Sequence, residues 1–355
     1  MPSGITQRDS MAYVGRQPWH NLGTYVEGDA MTAEQAIESA SLDWDVATVP
    51  VARPVWAGGD FSDFSRPTWE EIPNRKAVIR TDTQEIFELV SDKYQPIQNA
   101  EAFKFFDAIV GTGDAVYHTV GSLFGGRRVW ILAKINGQYT LDNGEKLESY
   151  ILLDNSHDGN SSLRMRLTAV RVVCANTLSS ATSSKAQFSA RHTSGILDKV
   201  SEARDLLGLN EAYMQRFMEQ CNSVASEAFD SEQMERLIYK TLNLNPTKNP
   251  QDQRSASKRV GADLLDSLYQ SGTGNSGRTR WDAFNAVTEY LDYHKGGRTV
   301  ESIGSEDDAT VSKRLNSSWF GKGQSLRGKV WDILQKPEAE MDKVLAKPNY
   351  AETTA

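Results

Sequence analysis

Residues 138–173 read QYTLDNGEKLESYILLDNSHDGNSSLRMRLTAVRVV. Asn143-Gly144 is a dipeptide favoured by tight hairpin turns, whose central positions take positive φ. The residues on either side of it read as strands. A second polar break, Asn155 to Asn160, leads into SLRMRLTAVRVV. Read as a strand, that run points Leu163, Met165 and Leu167 to one face and Arg164, Arg166 and Thr168 to the other. This one segment therefore predicts successive antiparallel strands, the last carrying an arginine face.

The pattern continues on the N-terminal side. AVYHTVGSLFGGRRVWILAKI (115–135) is two strands around a Gly125-Gly126 turn, and KAVIRTDTQEIFELVSD (76–92) is a hairpin around TDTQE. Between them NAEAFKFFDAIVGTG (99–113) has a helical period, with Phe103, Phe106, Ile109 and Val110 on one side, Asn99 as its cap and Gly111 at its end. TAEQAIESASLDWDV (32–46) predicts a short helix capped by Thr32 with Glu34 close behind. The stretch up to Gly28 reads as loop, and so does PVWAGGDFSDFSRPTWEEIP (54–73), its aromatics folding back onto the body. Beyond Ser194 the spacing turns helical in ILDKVSEARDLLGL, EAYMQRFMEQCNSVASEAF, SEQMERLIYKTLN and RWDAFNAVTEYLDYHKGG, with GTGNSGRTR (272–280) a flexible loop. The fold class is α+β: a mixed, largely antiparallel sheet with a covering helix, followed by a mostly helical C-terminal region. Expected units are a loop-rich segment with one helix (1–75), a sheet-containing core (76–194), a helical region (195–335) and a weakly ordered tail (336–355).

The 355 residues are 39% hydrophobic and carry a formal charge of −8, which supports a packed core and argues against a uniformly basic nucleic-acid binder. Two cysteines, Cys174 and Cys221, do not make a disulfide framework and read as small buried residues. With no signal-like or membrane-length apolar run and only two cysteines, a reducing cytoplasm is the expected location. Charge is nevertheless segregated. Between Asp158 and Asp198 lie Arg164, Arg166, Arg171, Lys185 and Arg191 and no acid; between Asp308 and Asp332 lie Lys313, Arg314, Lys322, Arg327 and Lys329, again with no acid, around Trp319 and Phe320.

Strand alternation adds Arg128, Trp130 and Lys134 to one face of a neighbouring strand. Sheet faces with arginines and rings hold single-stranded nucleic acid through phosphate contact and base stacking. The competing reading places Trp130 in the core and pairs the arginines with acids elsewhere in the chain. His157 beside Asp158 resembles a base with its orienting carboxylate, or two metal ligands. Adjacent residues diverge in a strand, however, and Asn, Ser, Asp and Gly are turn-forming residues, so a structural turn is favoured. GTGNSG lacks the spacing of a phosphate-binding loop.

Five stretches taken together, QPWHNLG, VSDKYQPIQNAEAF, LLDNSHDGNSSLRMRLTAVRVVCANTL, RWDAFNAVTEYLDYH and LNSSWFGKG, resemble a phage and plasmid protein family known as domain of unknown function 932. The resemblance implies a mobile-element setting and brings no reaction and no catalytic residues. A strand-rich block with a cationic face followed by helices is also similar in outline to phage single-strand annealing proteins, which oligomerise and lay DNA along a basic groove.

The expected function is therefore single-stranded DNA binding in phage or mobile-element DNA metabolism, with annealing or recombination as its context. The protein is expected to act as a homo-oligomer, away from membranes, without cofactor, metal or catalytic residue. Arg164, Arg166, Arg171, Arg127, Arg128 and Lys134 are the phosphate contacts and Trp130 the stacking ring. The alternatives are metal-assisted hydrolysis or nucleic-acid processing around His157 and Asp158, or a non-enzymatic accessory protein that acts on a host partner.

Overall fold

The computed structural model describes residues 10–15, 23–56, 67–110, 115–171, 176–177, 187–192, 205, 210–295 and 317–346. Its centre is an eight-stranded sheet built from β1 (Met11–Tyr13), β2 (Thr24–Tyr25), β6 (Ala115–Leu123), β7 (Arg128–Thr140), β8 (Lys146–Ser156), β9 (Leu163–Arg171), β10 (Asn176–Thr177) and β11 (Gln187–Ala190). The strand order is β10-β9-β8-β7-β6-β1-β2, with β11 also on β9. Among the described strands only β1 and β2 pair in parallel; β6 to β9 form an antiparallel meander. Its turns are those expected from sequence: Gly125 and Gly126 take φ of 70° and 102°, and Gly144 takes 85°. A second, three-stranded sheet runs β3 (Val46–Val55), β4 (Thr68–Arg80) and β5 (Ile86–Ser91).

One face of the large sheet packs on helices α1 (Ala33–Ser39) and α2 (Asn99–Val110) and on the small sheet. Phe103, Phe105 and Phe106 of α2 are buried there, with Phe105 stacked on Phe188 and Phe106 edge-on to Tyr117. Helix α1 opens with a capping box between Thr32 and Gln35, one residue beyond Glu34. Asn99 does not act as the cap of α2. Its side-chain amide donates to the carbonyls of Leu42 and Trp44 instead, while Glu101 accepts from the Gln98 N–H. The predicted Ile109 and Val110 side chains and Gly111 lie outside the described residues.

Parts of the architecture depart from the sequence reading. Residues 11–13 are a strand rather than loop, admitted because Gly121 has no side chain: a Cβ there would stand 2.6 Å from the Ser10 carbonyl oxygen. Thr68–Pro73 is the outer half of β4, and Trp69 does not fold back but is 68% exposed. Pro73 and Asn74 (φ 60°) lie where the β3–β4 register shifts, so the missing proline N–H breaks no ladder bond. Position 75/76, expected as a boundary, is inside β4.

The second core is helical: α3 (Asn210–Ser226), α4 (Ser231–Leu242), α5 (Ala256–Ser271), α6 (Arg280–Glu289, running into a π turn at Tyr290–His294), α7 (Lys322–Leu334) and α8 (Glu338–Leu345). The predicted helix at 196–209 falls almost wholly outside the described residues. GTGNSGRTR is pinned rather than loose: Asn275 donates to the Leu268 carbonyl, Ser276 to Asp282, and Thr279 caps α6. Part of the expected weakly ordered tail is α8, whose Met341 and Leu345 are buried in this core. The helices dock on one end of the sheet through Ser149 Oγ to Asn210 Oδ1 (2.7 Å) and Trp281 Nε1 to Glu145 (3.1 Å). No helix among the described residues is long and apolar enough to cross a membrane.

Candidate functional site

The face of the large sheet opposite α1 and α2 carries a mixed lining. Rows across the strands set it: Trp130 on β7, Asp154 on β8, Arg164 on β9 and Ser189 on β11 are direct neighbours, and so are Leu132, Leu152, Arg166 and Gln187. Directly opposed side chains in antiparallel strands sit close enough to interact. Asp154 is therefore placed beside Arg164 by register alone.

Asp154 is fully buried and holds three guanidinium groups. Its Oδ2 accepts from Arg164 Nη2 at 2.8 Å, from Arg164 Nε at 3.3 Å and from Arg128 Nη1 at 3.3 Å; Arg166 Nη2 stands 4.0 Å from Oδ1. Oδ1 has no hydrogen-bond partner among the described residues, and neither do Arg166 Nε and Trp130 Nε1. Burial lowers the Arg166 guanidinium to about 10; Asp154 opposes that shift, while the charges of Arg164, Arg128 and Arg327 add to it. Arg128 is lowered by the same burial, with Asp154 opposing. Three guanidinium groups thus face one carboxylate, a surplus of cationic over anionic groups in a partly desolvated place.

A second part of the chain closes over it. Residues 317–320 form a helical turn just before α7, and Arg166 donates to the Trp319 carbonyl oxygen. The Trp319 ring meets Trp130 edge-on at 5.1 Å, and the Phe320 ring lies 4.7 Å from the Arg128 guanidinium and 5.4 Å from that of Arg166. The turn is moored from beneath by Arg327, which is fully buried and donates to Asp292 and to Ser318 Oγ, while Ser318 Oγ also bonds Asp292. The two acid-free windows thus meet at one place.

Of the residues singled out from sequence, Arg128, Arg164, Arg166 and Trp130 come together. Trp130 is 2% exposed and Arg166 7%, so in this conformation Trp130 offers no free face to a base and Arg166 is no surface residue. Both follow from the face being lined by Met11, Tyr13, Leu123 and Tyr150 and covered by Trp319 and Phe320. The other three are apart. Arg127 sits in the β6–β7 turn and reaches β5 instead, bonding Glu85 (3.3 Å) and the Ile86 carbonyl (3.2 Å). Lys134 pairs with Glu148 at 2.7 Å farther along the face, where Tyr150 donates to the same carboxylate. Arg171 closes β9 in register with Leu147 and Asn176, and its side chain lies outside the described residues. Sequence reasoning missed Asp154 and the mooring pair Asp292–Arg327. The alternation that found Arg164 would have found Asp154, had the pairing of β8 with β9 been extended across the turn.

His157 and Asp158 occupy the turn after β8. Asp158 accepts from Ser156 Oγ and from the Asn160 N–H (3.0 Å), and Gly159 takes φ of 70°, the arrangement of a turn. His157 is fully buried, between Trp44 at 5.4 Å and Phe87 at 6.3 Å. Because the Asn99 amide N–H groups go to two carbonyls, its oxygen must accept, and His157 Nε2 donates to it at 2.9 Å. Burial pushes His157 down to about 3, with His192 adding to the shift and Asp158 opposing it. A proton-transfer group must touch its substrate, and a fully buried ring does not. No group of three or more His, Cys, Asp or Glu able to hold a metal ion occurs among the described residues.

No curated protein and no solved structure matches the chain. The family described as Domain of unknown function (DUF932) does match, over residues 86–319, from the first residue of β5 to Trp319 itself. That span is more than half of the chain and contains strands β6 to β11, Asp154 and its arginines, and the chain belongs to that family.

Proposed function

We propose that this chain binds single-stranded DNA, acts as a homo-oligomer in the annealing or recombination of phage or mobile-element DNA, and performs no chemistry of its own. The observation that carries the reading is the surplus of guanidinium over carboxylate on one sheet face: Arg128, Arg164 and Arg166 share Asp154. A backbone phosphate supplies the acceptor oxygens that such a cluster still lacks, and arginine forks match phosphate geometry. Arg164 is the entry point, since more of its side chain reaches solvent than of the other two. The enzyme alternative is weaker because His157, its central residue, is sealed between rings.

Support for self-association comes from the small sheet. Strands β3 and β5 each pair only with β4 among the described residues, and Trp69, Ile86 and Leu89 are exposed on or beside them. Open strand edges with apolar side chains accept another chain. The test is a gel shift of the full chain on single-stranded DNA, duplex DNA and RNA, with mass photometry of free and bound protein. Retention of single-stranded DNA in preference to duplex, by particles larger than a monomer, is the expected result. Retention of none of the three overturns the reading, and a preference for duplex or for RNA overturns its choice of ligand.

A further inference from the structure

Residues 317–320 make three contacts on the arginine face that a nucleotide would also make. A carbonyl oxygen accepts from Arg166, as a phosphate oxygen would. The Phe320 ring lies within cation–π range of Arg128 and Arg166, as a base would lie on a guanidinium. The Trp319 indole packs edge-on against Trp130. The fit is incomplete in one respect: Arg166 Nε and Trp130 Nε1 lie buried beneath the turn with no acceptor among the described residues. A buried donor left unpaired is unfavourable, so the turn covers the cluster without satisfying it.

We propose that Trp319 and Phe320 occupy, in the free chain, the seat of a nucleotide, and that single-stranded DNA displaces their rings, making residues 317–320 a self-held competitor for the arginine face. The inference rests on the proposed function and adds its regulation. Two features make the exchange feasible. Trp319 and Phe320 are each only partly buried, so an incoming strand reaches them from solvent. The mooring bonds go to Ser318, through Arg327 and Asp292, so Trp319 and Phe320 can lift away with the Gly321 N–H to Ser317 carbonyl bond opening while Ser318 stays held. Arg164 does not touch the two rings in any described contact, and it holds the first phosphate before the rings move.

The experiment compares the full chain with Trp319→Ala/Phe320→Ala for binding to a short labelled oligodeoxythymidine at fixed low salt. Removing the competitor is expected to tighten binding about tenfold, the scale of one lost ring contact. Unchanged or weaker binding by the variant, with the parent still binding, overturns the competitor and leaves the proposed function standing; weaker binding would mark the rings as the stacking platform itself. Binding by neither protein overturns the function and the competitor together. Hydrogen exchange on the parent chain decides the question if the variant does not fold. Amides of 317–321 are expected to exchange faster with oligonucleotide bound, and unchanged or slower exchange overturns the proposal.

Discussion

Arg166 on β9 donates to the carbonyl oxygen of Trp319, 153 positions later in the chain, and so joins the two acid-free windows of the sequence at one point. Like charges accumulate there because Asp154 lies beneath them. The next four predictions follow from that arrangement and from the core that supports it.

Asp154→Asn keeps the shape and removes the charge, leaving Arg128, Arg164 and Arg166 without their shared acid. Stability is expected to fall by about 3 kcal/mol, the usual result of orphaning buried charge. Arg164→Ala should fall by less, since two arginines still neutralise Asp154. Urea unfolding of the three proteins measures both, and an Asp154→Asn protein as stable as the parent would mean that the cluster is already solvated.

Acid should destabilise the chain through two histidines. Burial lowers His157 to about 3 and His192 to about 4, with Asp158 opposing in both cases. In the unfolded chain each protonates near 6.5. Between roughly pH 6.5 and 4 the unfolded state therefore binds more protons, and stability rises with pH across that window, by about 1.4 kcal/mol per pH unit for each histidine. Denaturation midpoints at pH 7, 6, 5 and 4 measure the slope. His192→Phe, which keeps a ring against Tyr94, should flatten it by about half.

Gly121→Ala should loosen β1. The added methyl meets the Ser10 carbonyl oxygen at 2.6 Å and the Trp130 ring at 3.1 Å, both on packed elements. Overpacking of this kind destabilises by about 1–3 kcal/mol. Amides of residues 11–13 should lose their exchange protection first.

Met341→Ala should lower stability by about 2–5 kcal/mol, because Met341 is fully buried in the helical core. A thermal shift of the variant close to zero would mean that α8 is not docked as described.

These predictions also mark what sequence alone made legible. Asn143-Gly144 and Gly125-Gly126 announced the meander because turn chemistry is local, and the spacing of Phe103 and Phe106 announced α2. Strand β1 escaped because three residues carry no period, and its pairing depends on a glycine more than a hundred positions away. The outer half of β4 escaped because Pro73 and two glutamates read as loop, although a register shift makes proline harmless there. Counting charge found both basic windows, but a count cannot see a cross-strand partner. Asp154 and the covering turn became visible only once the strands were in register and the chain had returned to them.

The salt dependence of binding tests the central claim most directly. Anisotropy of a labelled single-stranded oligodeoxynucleotide, titrated with the full chain across a series of salt concentrations, gives the slope of log K against log salt. Each phosphate neutralised on a single strand contributes about −0.7 to that slope, so Arg128, Arg164 and Arg166 together predict about −2. Arg164→Ala should bring it closer to zero by about 0.7. Absence of binding at low salt, or a slope near zero that Arg164→Ala leaves unchanged, would contradict the account.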